Sequence, residues 1–161
     1  LEINEGILVD EFSCTSDPDI FAAGDCTRHP SSIYDRLIRL ESVQNANDQA
    51  RIAAANICGK EVVYNMVPWF WSDQYNVKLQ MVGLSDDYDE VVCRGNLDQA
   101  EQKGFALFYL KNSSLIAVDC VGRPKEFVAG KQLVKAGIRV KTALLIDESV
   151  EPADFAQENS A

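Results

Sequence analysis

The chain is short of the groups that ordinarily carry protein chemistry. It has a single histidine, His29, which by pattern supplies no catalytic dyad, and no Ser/His/Asp set for hydrolysis can be assembled around it. Cys26 and His29 stand at ligand spacing, yet a structural zinc takes four ligands and no partner pair follows. No metal site is expected. The five cysteines (Cys14, Cys26, Cys58, Cys93 and Cys120) are an odd number and include no CxxC pair. That pattern fits reduced, mostly buried thiols in the cytoplasm better than a disulfide framework. Cations are few, 15 against 25 acidic residues for a net charge of −10, which argues against a nucleic-acid partner and favours solubility. No apolar run approaches the length that spans a bilayer. There is also no initiator methionine, basic n-region or apolar h-region; the chain opens in Leu1-Glu2-Ile3-Asn4-Glu5-Gly6, and a missing upstream segment is expected.

What is present is globular. Apolar residues make up 47% of 161 positions, enough for one domain, or a small domain plus a piece of another. Ile7-Leu8-Val9-Asp10 has the character of a short strand. After the turn formers Cys14 to Asp19, the apolar stretch Ile20 to Asp25 is expected to be a second strand, covered on both faces. Residues 27 to 41 are polar, with few apolar positions in register. Ser42 can cap a helix from about Val43 to Cys58 with Ala46, Ala50, Ala53, Ala54 and Ile57 on one stripe, and Gly59 in the position that stops it. Beyond Glu61 the texture changes. Tyr75, Val77, Leu79 and Met81 alternate with polar residues; Val91 to Cys93 is a further strand, and Phe105–Leu110 and Leu115–Val121 flank a hairpin loop. A helix is expected between Pro124 and Gly137, and Ala143 to Ile146 is a last apolar run. The expected organisation is the tail of an α/β unit over residues 1–60, an α+β domain over 61–150 and a tail over 151–161.

The sharpest signal is the string Thr15-Ser16-Asp17-Pro18-Asp19-Ile20-Phe21-Ala22-Ala23-Gly24-Asp25. Gly24 lets a ligand approach the backbone without a Cβ in the way. Asp25 places a carboxylate at the carboxyl end of an α/β strand, where such sheets bind ligands, and it can accept a hydrogen bond from a polyol hydroxyl. A bare Gly-Asp also makes an ordinary tight turn; the length of the string is what favours a ligand. Ser42 offers a helix N-terminus with free N–H groups and the positive end of a dipole, although a capped helix needs no ligand to explain it. Trp69, Phe70, Trp71 and Tyr75 form an aromatic cluster in which strand alternation puts Trp69 and Trp71 on one face, and such clusters are commonly core. Arg36, Arg39 and Lys131 stand out in so acidic a chain, either as solvated or paired cations or as guides for an acidic partner.

The eleven-residue string resembles the second FAD-binding motif of the two-dinucleotide-fold flavoproteins. With Arg39 to Ala46, Pro68-Trp69-Phe70-Trp71-Ser72-Asp73-Gln74-Tyr75 and Val121 to Phe127, nearly the whole chain resembles the FAD-dependent ferredoxin reductases of bacterial oxygenase systems, the putidaredoxin-reductase and rubredoxin-reductase type. The resemblance implies an α/β remnant of the two-dinucleotide-fold FAD domain, followed by an α+β C-terminal domain with an antiparallel sheet. It implies FAD as cofactor and NAD(P)H as electron donor, with a [2Fe–2S] ferredoxin or a rubredoxin as partner. Gly24, Asp25, Ser42, Val43 and Trp71 are the implied cofactor-binding residues: Asp25 on the ribityl chain, Val43 at the pyrimidine edge of the flavin, Trp71 beside its ring. Arg39 and Lys131 are the implied docking positions. No acid or base residue is nominated, because hydride transfer to flavin requires stacking rather than protonation. The His–Glu pair that disulfide reductases of the glutathione-reductase kind carry has no counterpart here.

Two readings stay open. One is the C-terminal portion of an electron-transferring reductase. The other is a non-catalytic interface or docking module that binds no cofactor of its own. The glycine-rich fingerprint that cradles the FAD pyrophosphate is absent, as is any comparable NAD fingerprint. Weak or no FAD binding by these 161 residues alone is therefore expected.

Overall fold

A computed structural model describes residues 1–99 and 103–156. The described chain divides into two compact units, Leu1–Pro68 and Trp69–Ala161. The segment from Glu61 to Pro68, placed by its sequence with the second half, belongs to the first. The side-chain amide of Asn56 holds it there: Asn56 Oδ1 accepts from Val62 N at 2.6 Å while its Nδ2 donates to Val62 O and Phe12 O.

The first unit contains a three-stranded sheet, β1 (Ile7–Leu8), β2 (Thr27–Ser31) and β3 (Arg36–Ile38), with β1 and β2 parallel and β2 and β3 antiparallel. One helix follows, α1 (Val43–Ile57). The expected strand over Ile20–Asp25 does not form. Only Phe21 makes a bridge, to Cys14, and Ile20 is exposed. The strand lies a few residues later, in the stretch that had looked too polar for one. Thr27 and His29 there turn polar side chains inward, both almost fully buried, so alternation of apolar residues could not reveal it.

Helix α1 starts and stops where its sequence predicts. Ser42 Oγ accepts from Asn45 N at 3.1 Å, and at the other end Gly59 adopts φ +74°. Gly59 N donates to Asn56 O and Lys60 N to Ala55 O, the paired closure that a left-handed residue allows. The buried face differs from the expected alanine stripe. Gln44, Asn45, Gln49, Ile52 and Ala53 face inward, while Ile57 is 65% exposed and Ala50 and Ala54 lie in solvent. Amides rather than alanines anchor this helix.

The second unit is a five-stranded antiparallel sheet in the order β4-β5-β8-β7-β6, from β4 (Trp69–Gln74), β5 (Val77–Gly83), β6 (Glu90–Gly95), β7 (Phe105–Lys111) and β8 (Ser114–Val121). The β7–β8 hairpin turns through Asn112 and Ser113, both at positive φ, as a two-residue turn requires if its twist is to match the strands. One sheet face is fully buried through Val82, Val92, Ala106, Phe108, Val118 and Cys120. Helix α2 (Pro124–Ala136) packs on β8 and β5. It lies so close that a Cβ on Gly130 would stand 2.8 Å from Val118 Cγ2. Pro124 opens the helix and Gly137, at φ +61°, closes it. A short α3 (Thr142–Ile146) brings in Leu145.

Residues 151–156 are not a tail. Pro152–Asp154 form a 3-10 turn that seats Phe155, 1% exposed, edge-on to Phe108 at 5.6 Å. Residues 157–161 lie outside the described residues. The cysteines also depart from expectation. Only Cys120 is buried, Cys14 and Cys93 are half-buried and Cys26 and Cys58 exposed. Burial pushes the Cys120 thiol well up, with Glu126 and Asp119 adding to it.

Candidate functional site

Gly24 and Asp25 form the corner of a turn closed by Thr27 N donating to Gly24 O at 3.0 Å. Gly24 sits at φ +86°, a conformation that strains any residue with a Cβ. Its N–H donates to Gln49 Oε1 at 2.7 Å, and the same oxygen accepts from Thr27 Oγ1 at 2.8 Å. Gln49 is wholly buried, and its Nε2 has no acceptor among the described residues. A Cβ on Gly24 would lie 3.5 Å from Ala46 Cβ. The Gly-Asp turn is therefore clamped to the N-terminal half of α1, one turn from Ser42 and Val43. Asp25 itself is exposed, and its carboxylate takes no hydrogen bond or ion pair among the described residues.

The start of α1 is fixed from below. Asn45 Nδ2 donates to Leu40 O at 3.1 Å, and Asn45 Oδ1 accepts from Tyr64 OH at 2.8 Å. Tyr64 is buried, and desolvation pushes its phenol up to about 12. Its ring meets His29 edge-on at 5.0 Å. Val43, by contrast, is 57% exposed, and N–H groups of a first helical turn have no intrahelical acceptor. An exposed carboxylate and an exposed helix N-terminus thus share one rigid substructure. Chemically, that pair can accept hydrogen bonds from hydroxyl groups and favour an electron-rich edge.

The remaining sequence candidates are dispersed. Arg39 is bound at both ends of its guanidinium, to Glu5 O at 3.0 Å and to the Glu41 carboxylate. Arg36 stacks on Tyr34 at 5.9 Å. In the second unit Trp71 is 41% exposed, its ring 5.4 Å from that of Trp69. Trp69 meets Phe127 edge-on at 5.8 Å, and Lys131 Nζ lies 4.7 Å from the Trp69 centroid.

Two sets of residues escaped the sequence. The amides Asn45, Gln49 and Asn56 fall on one helical face, at spacings of four and seven; an amide-only stripe is the signal that could have found them. Arg94, 3% exposed, pairs with Glu126 at 3.1 Å and donates to the carbonyls of Leu145, Asp147, Glu148 and Val150. No periodicity announces such a residue. Among the described residues, no group of three or more His, Cys, Asp or Glu is placed to hold a metal.

Comparison with known proteins follows this geometry. Residues 69–156 match the family described as Reductase C-terminal, and residues 1–50 match Pyridine nucleotide-disulphide oxidoreductase. Putidaredoxin reductase CamA of Pseudomonas putida is 49% identical over 150 residues, 93% of this chain and 35% of that protein. Rhodocoxin reductase of Rhodococcus erythropolis is 42% identical, over 83% of this chain and 31% of that one. The chain thus spans about a third of the length of these relatives. Among solved structures, the covalent putidaredoxin reductase–putidaredoxin complex superimposes with a TM-score of 0.88 at 47% identity, over 96% of this chain and 36% of that one. A ferredoxin reductase of Rhodopseudomonas palustris gives the same TM-score at 38% identity, over 97% and 38%.

Proposed function

The chain belongs to the Reductase C-terminal family, and from that premise we propose that it is the C-terminal portion of a flavoprotein reductase passing electrons from NAD(P)H through FAD to a [2Fe–2S] ferredoxin or a rubredoxin. The observation that carries the proposal is the clamp between Gly24 and α1, which holds an exposed, unpartnered carboxylate beside the N-terminal half of that helix. These residues fit FAD. When bound, FAD accepts a hydride and hands on single electrons; the protein supplies binding, orientation and electrostatics. Asp25 accepts hydrogen bonds from the ribityl hydroxyls. Gly24 supplies the positive-φ corner that presents Asp25. Ser42 holds the helix end in register, and the N–H of Val43 favours the electron-rich pyrimidine edge. Trp71, 41% exposed on β4, offers its indole to the flavin ring.

Arg39 is the docking candidate for an acidic partner, its charge partly offset by Glu41. No helix among the described residues is long and apolar enough to cross a membrane, and we place the whole protein in the cytoplasm. Relatives that carry this activity by name are about three times as long, so the experiment uses the whole polypeptide that contains this chain. Purified, it should carry flavin whose absorption bleaches with NADH or NADPH, and it should reduce a [2Fe–2S] ferredoxin. A protein that takes up no flavin, or whose flavin no nicotinamide cofactor reduces, would refute the proposal.

A further inference from the structure

The second unit holds two lysines on α2 with opposite surroundings. Lys125 reaches into solvent, its side chain 71% exposed, and pairs with Glu151 at 2.9 Å. Lys131 is half-buried and pairs with no carboxylate among the described residues. Its ammonium lies 4.7 Å from the centroid of Trp69 and 5.7 Å from that of Phe127, both inside the range at which a cation is held by an aromatic face. Phe127 and Lys131 are one helical turn apart and share a side of α2. Phe127 presents its ring at 71° to Trp69, so the indole is held by an aromatic edge and by a charge. Trp69 and Trp71 stand two residues apart on one face of β4, tilted 33° to each other. Trp71 makes no other ring contact among the described residues.

We infer that Lys131 is a positioning residue: it fixes Trp69, and through Trp69 the indole of Trp71, instead of meeting an acidic partner. The inference rests on the proposed function only in giving Trp71 its place beside the flavin. A lysine that steers a partner keeps its ammonium hydrated and free to move; this one is committed to two rings of its own chain. Losing the ammonium removes one of the contacts that hold the Trp69 ring and loosens the neighbour of Trp71. Losing a docking charge would leave both indoles where they are.

The chain has only two tryptophans, and they are this pair, so the tryptophan fluorescence of this chain, with the tryptophan bands of its near-ultraviolet circular dichroism, reports on it. Lys131→Met keeps the aliphatic stem and removes the charge; Lys131→Arg keeps a cation over the ring. The expected result is an altered tryptophan spectrum in Lys131→Met and recovery in Lys131→Arg. In the flavin-loaded whole protein, Lys131→Met should slow ferredoxin and a small artificial acceptor by similar factors, about threefold to tenfold for the loss of one cation–π contact. In a Trp69→Leu background the effect of Lys131→Met on the remaining indole should vanish, and this arm also covers the case in which the single variant folds poorly. An unchanged tryptophan spectrum, with a raised ferredoxin KM and a weaker salt dependence, would overturn the inference and mark Lys131 as a docking residue. So would a Lys131→Met effect that persists without Trp69. If the whole protein carries no flavin, the function proposed above fails, while the spectroscopic arm still decides what Lys131 holds.

Discussion

The two units are held together by different means. In the first, buried side-chain amides fasten loops to a helix: Gln49 to Gly24 and Thr27, Asn45 to Leu40 and Tyr64, Asn56 to Phe12 and Val62. In the second, an apolar sheet face and α2 make a continuous core, and the one large polar element is Arg94 with Glu126. The contrast shows where each unit's specificity lies. Hydrogen bonds with fixed partners place a turn to within a bond length, as a ligand-holding corner requires. Apolar packing tolerates volume-conserving change, and it suits a domain whose task is to carry surface residues on a stiff sheet.

The largest effect should come from the exception in the second unit. Arg94→Ala leaves the buried Glu126 carboxylate with only Arg123, at 3.5 Å, and takes a donor from four backbone carbonyls, and a broken buried pair costs about 3–5 kcal/mol. Urea unfolding followed by tryptophan fluorescence, which reports only on this unit, should show it; a loss below 1 kcal/mol would mean that the apolar core alone carries the fold. In the first unit, Gln49→Leu leaves the Gly24 N–H without its acceptor, while the Thr27 hydroxyl keeps Gly24 O at 2.8 Å, a cost of about 1–3 kcal/mol. It should also weaken FAD binding by the whole protein, because the corner holding Asp25 loses its clamp. Equal FAD affinity in the variant would break the link between amide anchoring and the site.

His29 sharpens the comparison through pH. Burial holds its imidazole down to about 4, from an ordinary 6.5, and neither ring nitrogen has a partner among the described residues. The unfolded chain therefore binds the proton more readily than the folded one. Stability is full above pH 6.5, falls as the pH drops from there, and levels off below about 4, a loss of about 3 kcal/mol. His29→Phe preserves the edge contact to Tyr64 and should remove that part of the acid sensitivity of the first unit, measured as the pH dependence of its unfolding midpoint. An acid profile identical to the parent would show that His29 is not its source. The smallest effect belongs to Arg39. Glu41→Gln removes the carboxylate that offsets its charge, leaving the bond to Glu5 O, and the ferredoxin KM of the whole protein should fall by about twofold, the scale of an exposed ion pair; a KM that does not move would remove Arg39 from the docking surface.

Legibility followed the same division. In the second unit the strands β5 to β8, the β7–β8 turn and both ends of α2 could be read from alternation and from Asn112, Pro124 and Gly137, because apolar burial writes a period into the sequence. In the first unit the ends of α1 were legible through Ser42 and Gly59. Its buried face was not, because Asn45 and Gln49 occupy positions where periodicity looks for alanine. For the same reason β2 was misplaced: Thr27 and His29 face inward, and the apolar Ile20 does not. The motif singles out Gly24 and Asp25, and the structure places the pair in a turn and not at the end of a strand. What carries it is Gln49, twenty-five residues downstream, and no local pattern joins the two.

The most direct measurement is the affinity of the whole apoprotein for FAD, by calorimetric titration, with and without Asp25→Ala. Asp25 is exposed and unpartnered in this structure, so its removal leaves the fold of the first unit intact, and any change belongs to the ligand. The account predicts a loss of about tenfold to a hundredfold, the worth of hydrogen bonds to one charged acceptor. Equal affinity in the two proteins would contradict it.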